Sequence, residues 1–142
     1  VDLNTLKQYR SLKKEIAGLD ATIDRLQKRL DSIPTVMGKV QSSEKDFPYI
    51  RTHVAVEMQD PAESEKIRRL IRLKERRKMQ AYNLVIRIEN YINSIQDSTD
   101  RQIFELVFID GLTYRAAGDA LGYHYSNIGY RIQSELSTNS TK

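Results

Sequence analysis

The chain has no cysteine. That removes a thiolate zinc finger, a disulfide framework and a thiol nucleophile together. Histidine is nearly as scarce. His53 and His124 are the only two, and no carboxylate–histidine spacing accompanies either, so no metal site is expected. Long apolar runs are missing as well. Apolar runs extend only a few residues, as at 103–104 (Ile-Phe) and 106–109 (Leu-Val-Phe-Ile), far short of the roughly 20 residues a membrane helix needs. No signal-peptide pattern is present, and the sequence reads as a cytoplasmic protein with no membrane contact. No Ser-His-Asp set, glycine-rich phosphate loop or carboxylate pair stands at working spacing. Asp110 and Asp119 read as cap and surface charges. The expectation is a binding protein with no catalytic residue and no cofactor.

What is present is charge and helical pattern. Charged residues make up 30% of the 142 and hydrophobic ones 39%, a balance that suits long exposed helices with a lean core. The net charge of +4 is unevenly spread. Residues 61–96 hold 9 basic and 4 acidic groups, whereas residues 97–142 hold 4 and 6. The positive excess therefore lies in the middle of the chain.

Periodicity predicts an all-α fold with a long, coiled-coil-like N-terminal hairpin and a compact C-terminal unit. Tyr9, Ile16, Ile23 and Leu30 recur every seven residues, and Leu12, Leu19, Leu26 and Ile33 repeat them at an offset of three. This is an a/d seam over about four heptads. It predicts one helix from about Asp2 to Ile33, stopped by Pro34. Gly18 falls outside the seam. Residues 34–60 carry Pro34, Gly38 and Pro48 and read as an extended linker. Its front, about 36–46, reads as disordered, and its β-prone run, 49–56 (Tyr-Ile-Arg-Thr-His-Val-Ala-Val), reads as a strand or extended segment. Asp60-Pro61 is a helix start. A second long helix is expected to about Gln96, with Ile67, Leu70, Ile71, Ala81, Leu84, Val85, Ile88, Tyr91, Ile92 and Ile95 on one face. The two long helices are expected to pair antiparallel across residues 1–96. A parallel homodimer through the first helix is the rival, and it would set Glu15 against Asp20 of the other copy.

The C-terminal unit is expected over residues 97–137, with 138–142 as a flexible tail. Asp97-Ser98-Thr99-Asp100 is a cluster of capping residues. Ile103, Phe104, Leu106, Val107 and Phe108 make a short apolar helix that Gly111 ends. Thr113 caps the next helix, Gly122 closes it after barely two turns, and Ser126 or a neighbour opens the last. Gly118 is the small residue where two helices pass closely, and Gly122 can take the left-handed turn. Tyr123 and Ile128 are expected to pack the final helix down onto the core. This is the plan of a helix-turn-helix, whose second helix enters the major groove.

The run IDGLTYRAAGDALGY followed by SNIGYRI resembles the helix-turn-helix of sigma factor region 4. It is also similar to phage late-transcription regulators of the RinA and ArpU type, in which such a motif often follows long predicted helices. The opening LNTLKQYRSLKKEIAGLDATIDRLQKRL and the FPYIRTHVAV segment look like small phage and prophage proteins of Gram-positive bacteria. Two positions depart from the motif: Ala117, where a bulky aliphatic is usual, and Gly129, inside the reading helix. The resemblance implies groove-facing positions at His124, Tyr125, Ser126, Gly129, Tyr130 and Gln133. Gln133 is suited to adenine, and Tyr125 or Tyr130 to a thymine methyl. Arg115, Asn127 and Arg131, with Thr113 and Tyr114 at the start of the first helix, are implied phosphate contacts. For Tyr125 and Tyr130 packing on the protein surface is an equal alternative.

A second signal is the basic run of residues 66–78. Arg68, Arg69, Arg72, Arg76, Arg77 and Lys78 form either a nucleic-acid patch or a solvated face opposite acids of the first helix. The partners expected are double-stranded DNA, RNA polymerase and further copies of the chain as a dimer or larger homo-oligomer. The function expected is sequence-specific DNA binding in late-gene transcription of a phage or prophage, in the cytoplasm of a bacterial host. Two alternatives stay open: a small terminase subunit recognising packaging DNA, and a module that binds RNA polymerase or another protein and never touches DNA.

Overall fold

The computed structural model describes residues 1–33 and 61–140. The expected linker at 34–60, with its β-prone run and His53, and the last two residues lie outside the described residues. The fold is all-α, with no strand among the described residues. The elements are α1 (Leu3–Lys7), α2 (Tyr9–Ser32), α3 (Pro61–Asn93), α4 (Ser98–Phe104), a π-helical turn (Glu105–Ile109), α5 (Tyr114–Leu121) and α6 (Tyr125–Ser140). The chain forms two compact units. One draws on residues 1–17 and those from 79 onward, the other on residues 18–78.

In the smaller unit Leu26, Ile67 and Ile71 are buried, with Ile23, Leu30 and Ile33 packed around them. Asp20 pairs with Lys78, and Arg29 with Glu63. Residue numbers rise along α2 as they fall along α3, so the helices run antiparallel. The apolar stripe of α3 fails where Lys74 and Lys78 take inward, half-buried positions. Charge there cannot be enclosed as an apolar side chain can, and the division between units falls there too. Gly18 sits at the same level of α2, and a methyl group on it would meet nothing.

The larger unit holds the main core. Leu6, Tyr9 and Leu12 pack with Ala81, Val85, Ile88, Ile92 and Ile95 of α3 and its C-terminal end. Ile103, Phe104 and Phe108 join the same cluster, as do Ala117, Ile128 and Ile132. The C-terminal helices thus share one core with the ends of the long helices, and packing runs straight across residues 96 and 97. The seam of the first helix is covered within the chain, as the hairpin reading expects.

Local details differ from the sequence reading at four places. The first helix is interrupted at Gln8, whose N–H donates to Thr5 three residues back at 3.1 Å, a tightened turn. The apolar run after Phe104 widens into the π turn, where the Asp110 N–H reaches the Glu105 carbonyl at 2.9 Å. That turn leaves Phe108 buried and Leu106, Val107 and Ile109 half-buried. At the C-terminus α6 continues to Ser140, past the point where the tail was expected to begin. Leu70, assigned to the core stripe, is exposed.

Candidate nucleic-acid interface

The helix-turn-helix is assembled by side-chain caps and two left-handed glycines. Asp97 caps α4 by accepting from the Asp100 N–H at 2.9 Å. Gly111, at φ 78°, turns the chain toward α5 in a conformation that L side chains rarely adopt, and the Arg10 side chain lies over it. The Thr113 hydroxyl then caps α5 by accepting from the Ala116 N–H at 3.1 Å. Gly122 takes φ 81°, and the Tyr123 N–H donates back to the Gly118 carbonyl at 2.8 Å, a Schellman closure. A methyl group on Gly118 would run into the Tyr123 carbonyl oxygen. The glycine is therefore required by the approach of the turn, as its spacing predicts.

The last helix opens on an unexpected cap. The His124 Nδ1 accepts from the Ser126 N–H at 3.2 Å and lies 2.8 Å from the Ser126 hydroxyl. An accepting Nδ1 carries no proton, so the ring proton sits on Nε2. The imidazole also stacks on Tyr125, with centroids 4.3 Å apart. The Arg115 guanidinium lies 5.3 Å from the Tyr125 ring centre, within cation–π range. His124, Tyr125, Ser126 and Arg115 thus meet at the mouth of the turn.

Along α6, Ile128 and Ile132 are fully buried. On the face turned away from them stand Ser126, Tyr130 and Gln133, with Asn127 and Ser134 beside them, all exposed. Tyr130 is 73% exposed. Among the implied groove positions Gly129 is half-buried, and a methyl group on it would touch the Tyr114 ring at 3.4 Å, an ordinary contact. Tyr114 is half-buried and belongs to this packing, and Thr113 to its cap.

Arg131 has partners of its own. Its Nη1 lies 2.9 Å from Asp100 Oδ1 and 3.5 Å from Asp97 Oδ2, and its guanidinium sits 5.3 Å from the Tyr123 ring centre. The hydrogen bond to Asp100 raises its pKa further above an already high value. Tyr123, expected in the core, is instead 37% exposed, with the Arg131 guanidinium over its ring. Asp100, Tyr123, Asn127, Tyr130, Arg131 and Ser134 line a shallow cleft of about 440 Å³. The sequence pattern could not reveal this clamp, since its acids stand some thirty residues from the arginine they hold and no helical period links them.

The expected secondary patch belongs to the other unit. Arg68, Arg69, Arg76 and Arg77 are exposed. Arg72 pairs with Glu65 at 3.1 Å, and Lys78 with Asp20. Lys78 thereby faces the first helix. Among the described residues no three His, Asp or Glu side chains gather as a metal site, and no helix is long and apolar enough to cross a membrane. Comparison with protein-family models, with curated proteins and with solved structures returns no match.

Proposed function

We propose that the chain is a sequence-specific double-stranded DNA-binding protein that acts in the bacterial cytoplasm, regulates late-gene transcription of a phage or prophage, and does no chemistry. The observation that carries this reading is the turn itself. Capped α5, the obligatory Gly118, left-handed Gly122 and capped α6 support a helix held rigidly with an exposed polar and aromatic face. A helix presented in this way suits a major groove. Arg115 and the Nε2–H of His124 stand at its N-terminal end, where phosphates are commonly bound.

Residues 97–142 carry a net charge of −2, which supplies few phosphate contacts. Binding as a dimer or larger oligomer, or beside RNA polymerase, would make up that deficit. The same charge favours one second reading, a protein-binding module that holds RNA polymerase or another partner and never contacts DNA.

Genomic occupancy mapped in the bacterial host tests the proposal, paired with solution affinity at low salt. Sites clustered at promoters, lost on Tyr130→Ala with Gln133→Ala, are the expected result. Occupancy confined to a packaging sequence, with a ring-shaped oligomer in solution, would instead make the chain a small terminase subunit. Absence of DNA affinity at low salt, with retention on RNA polymerase, would establish the protein-binding reading.

A further inference from the structure

The exposed face of α6 is chemically narrow. With about 100° of rotation per residue, the face opposite Ile128 and Ile132 offers Ser126, Asn127, Tyr130, Gln133 and Ser134, and none of these carries charge. The helix from Tyr125 to Ser140 contains one cation and one acid. The cation, Arg131, is engaged by Asp100 and Asp97 and lies against Tyr123. The acid, Glu135, is half-buried.

Base edges reward different partners. Guanine is best read by Arg or Lys, and the cytosine amino group by Asp or Glu. Adenine pairs bidentately with Asn or Gln, and the thymine methyl rewards apolar and aromatic contact. The strongest readers of a G·C pair are therefore absent from this face or tied up elsewhere, while both kinds of A·T reader are exposed on it.

We infer that the reading face of α6 selects A·T base pairs, with the Gln133 amide on adenine and the Tyr130 ring on a thymine methyl. This rests on the DNA-binding reading above. The Asp100 carboxylate deepens the selection, because it withholds the one guanidinium on the helix that could reward guanine. Asp100 is a positioning residue here and touches no base.

Selection of duplexes from a randomised pool by the full-length chain tests this, followed by affinities for the selected duplex with single A·T pairs replaced by G·C. The expected core is A·T-rich, and each replacement within it weakens binding about 5- to 100-fold. Gln133→Ala removes the preference at one base pair and leaves the dependence on salt unchanged. Gln133→Arg turns that position toward guanine. Asp100→Asn, checked for retained helicity, leaves Arg131 only the longer contact to Asp97, steepens the salt dependence by up to about one phosphate contact and raises tolerance of G·C. A G·C-rich core would overturn the inference while leaving DNA binding intact, as would an unchanged preference in both Gln133→Ala and Tyr130→Ala. Failure to bind any duplex at low salt would remove the DNA reading itself, and this inference with it.

Discussion

Under the proposed DNA-binding function two stretches of this chain would bear on nucleic acid, and they are built on opposite principles. The turn between α5 and α6 has shape and almost no charge. The basic part of α3, residues 66–78, has charge and almost no shape. In the first, each backbone turn is fixed by a cap or a glycine: Thr113, Gly118, Gly122 and His124. In the second, Arg68, Arg69 and Arg76 stand exposed on a plain helical surface. Shape without charge can discriminate among sequences and holds weakly. Charge without shape holds and does not discriminate, because phosphate contacts are blind to sequence. Under the proposed function, reading and holding would therefore be separable in this chain.

The largest expected effect is on the shaped region. Gly118→Val drives a branched side chain into the Tyr123 carbonyl, and we expect a loss of about 3 kcal/mol of stability, in the range of overpacked cores. Urea unfolding measures it. A loss under 0.5 kcal/mol would mean that the turn can relax and that shape is not what the region is built on.

Next is the core beneath it. The Tyr9 hydroxyl donates to Glu89 at 2.6 Å. Burial, followed by the Glu89 contact, pushes its pKa up to about 12. The folded state thus favours neutral Tyr9. Its stabilising contribution is complete below the ordinary tyrosine pKa near 10 and is lost as pH rises from there through 12. Tyr9→Phe should lower stability by about 1.5 kcal/mol at neutral pH and flatten the decline above pH 10. An unaltered alkaline decline in this variant would assign that decline to other groups.

Smaller still is the loss of the α5 cap. Thr113→Ala should cost about 1 kcal/mol, read by thermal unfolding. Gly18→Ala should act in the opposite direction and add roughly 0.5–1 kcal/mol, since a methyl group there meets nothing and the helix gains propensity. Least of all for stability is the charged region. Arg68→Gln with Arg69→Gln and Arg76→Gln should change it by no more than about 0.5 kcal/mol. A large loss in that variant would make these arginines structural and dissolve the contrast between the two stretches.

The parts of this organisation legible in sequence are those fixed by neighbours along the chain. The heptads of α2 announced the face that is buried at Tyr9, Leu12 and Leu26. Thr113, Gly118 and Gly122 announced the turn, because cap and turn chemistry act within a few residues. What stayed hidden depends on partners distant in sequence. Arg131 read as a phosphate contact from its place in the motif alone, yet Asp100 and Asp97 reach it through the packing of α4 against α6. Tyr123 read as core for a related reason: apolar character marked it for burial, and only the clamp places it under a guanidinium at the surface. His124 as a cap was missed because histidine is seldom the residue that opens a helix. The tightened turn at Gln8 carries no signal in the local sequence.

The separation of reading from holding is tested most directly by measuring DNA affinity against salt concentration on matched and mismatched duplexes, for two variants of the full chain. Tyr130→Ala with Gln133→Ala should erase the difference between duplexes and leave the salt slope unchanged. Arg68→Gln with Arg69→Gln and Arg76→Gln should shallow the slope by up to about three phosphate contacts and leave the difference between duplexes intact. Variants that each lose preference and slope together, or that exchange these two outcomes, would contradict the account.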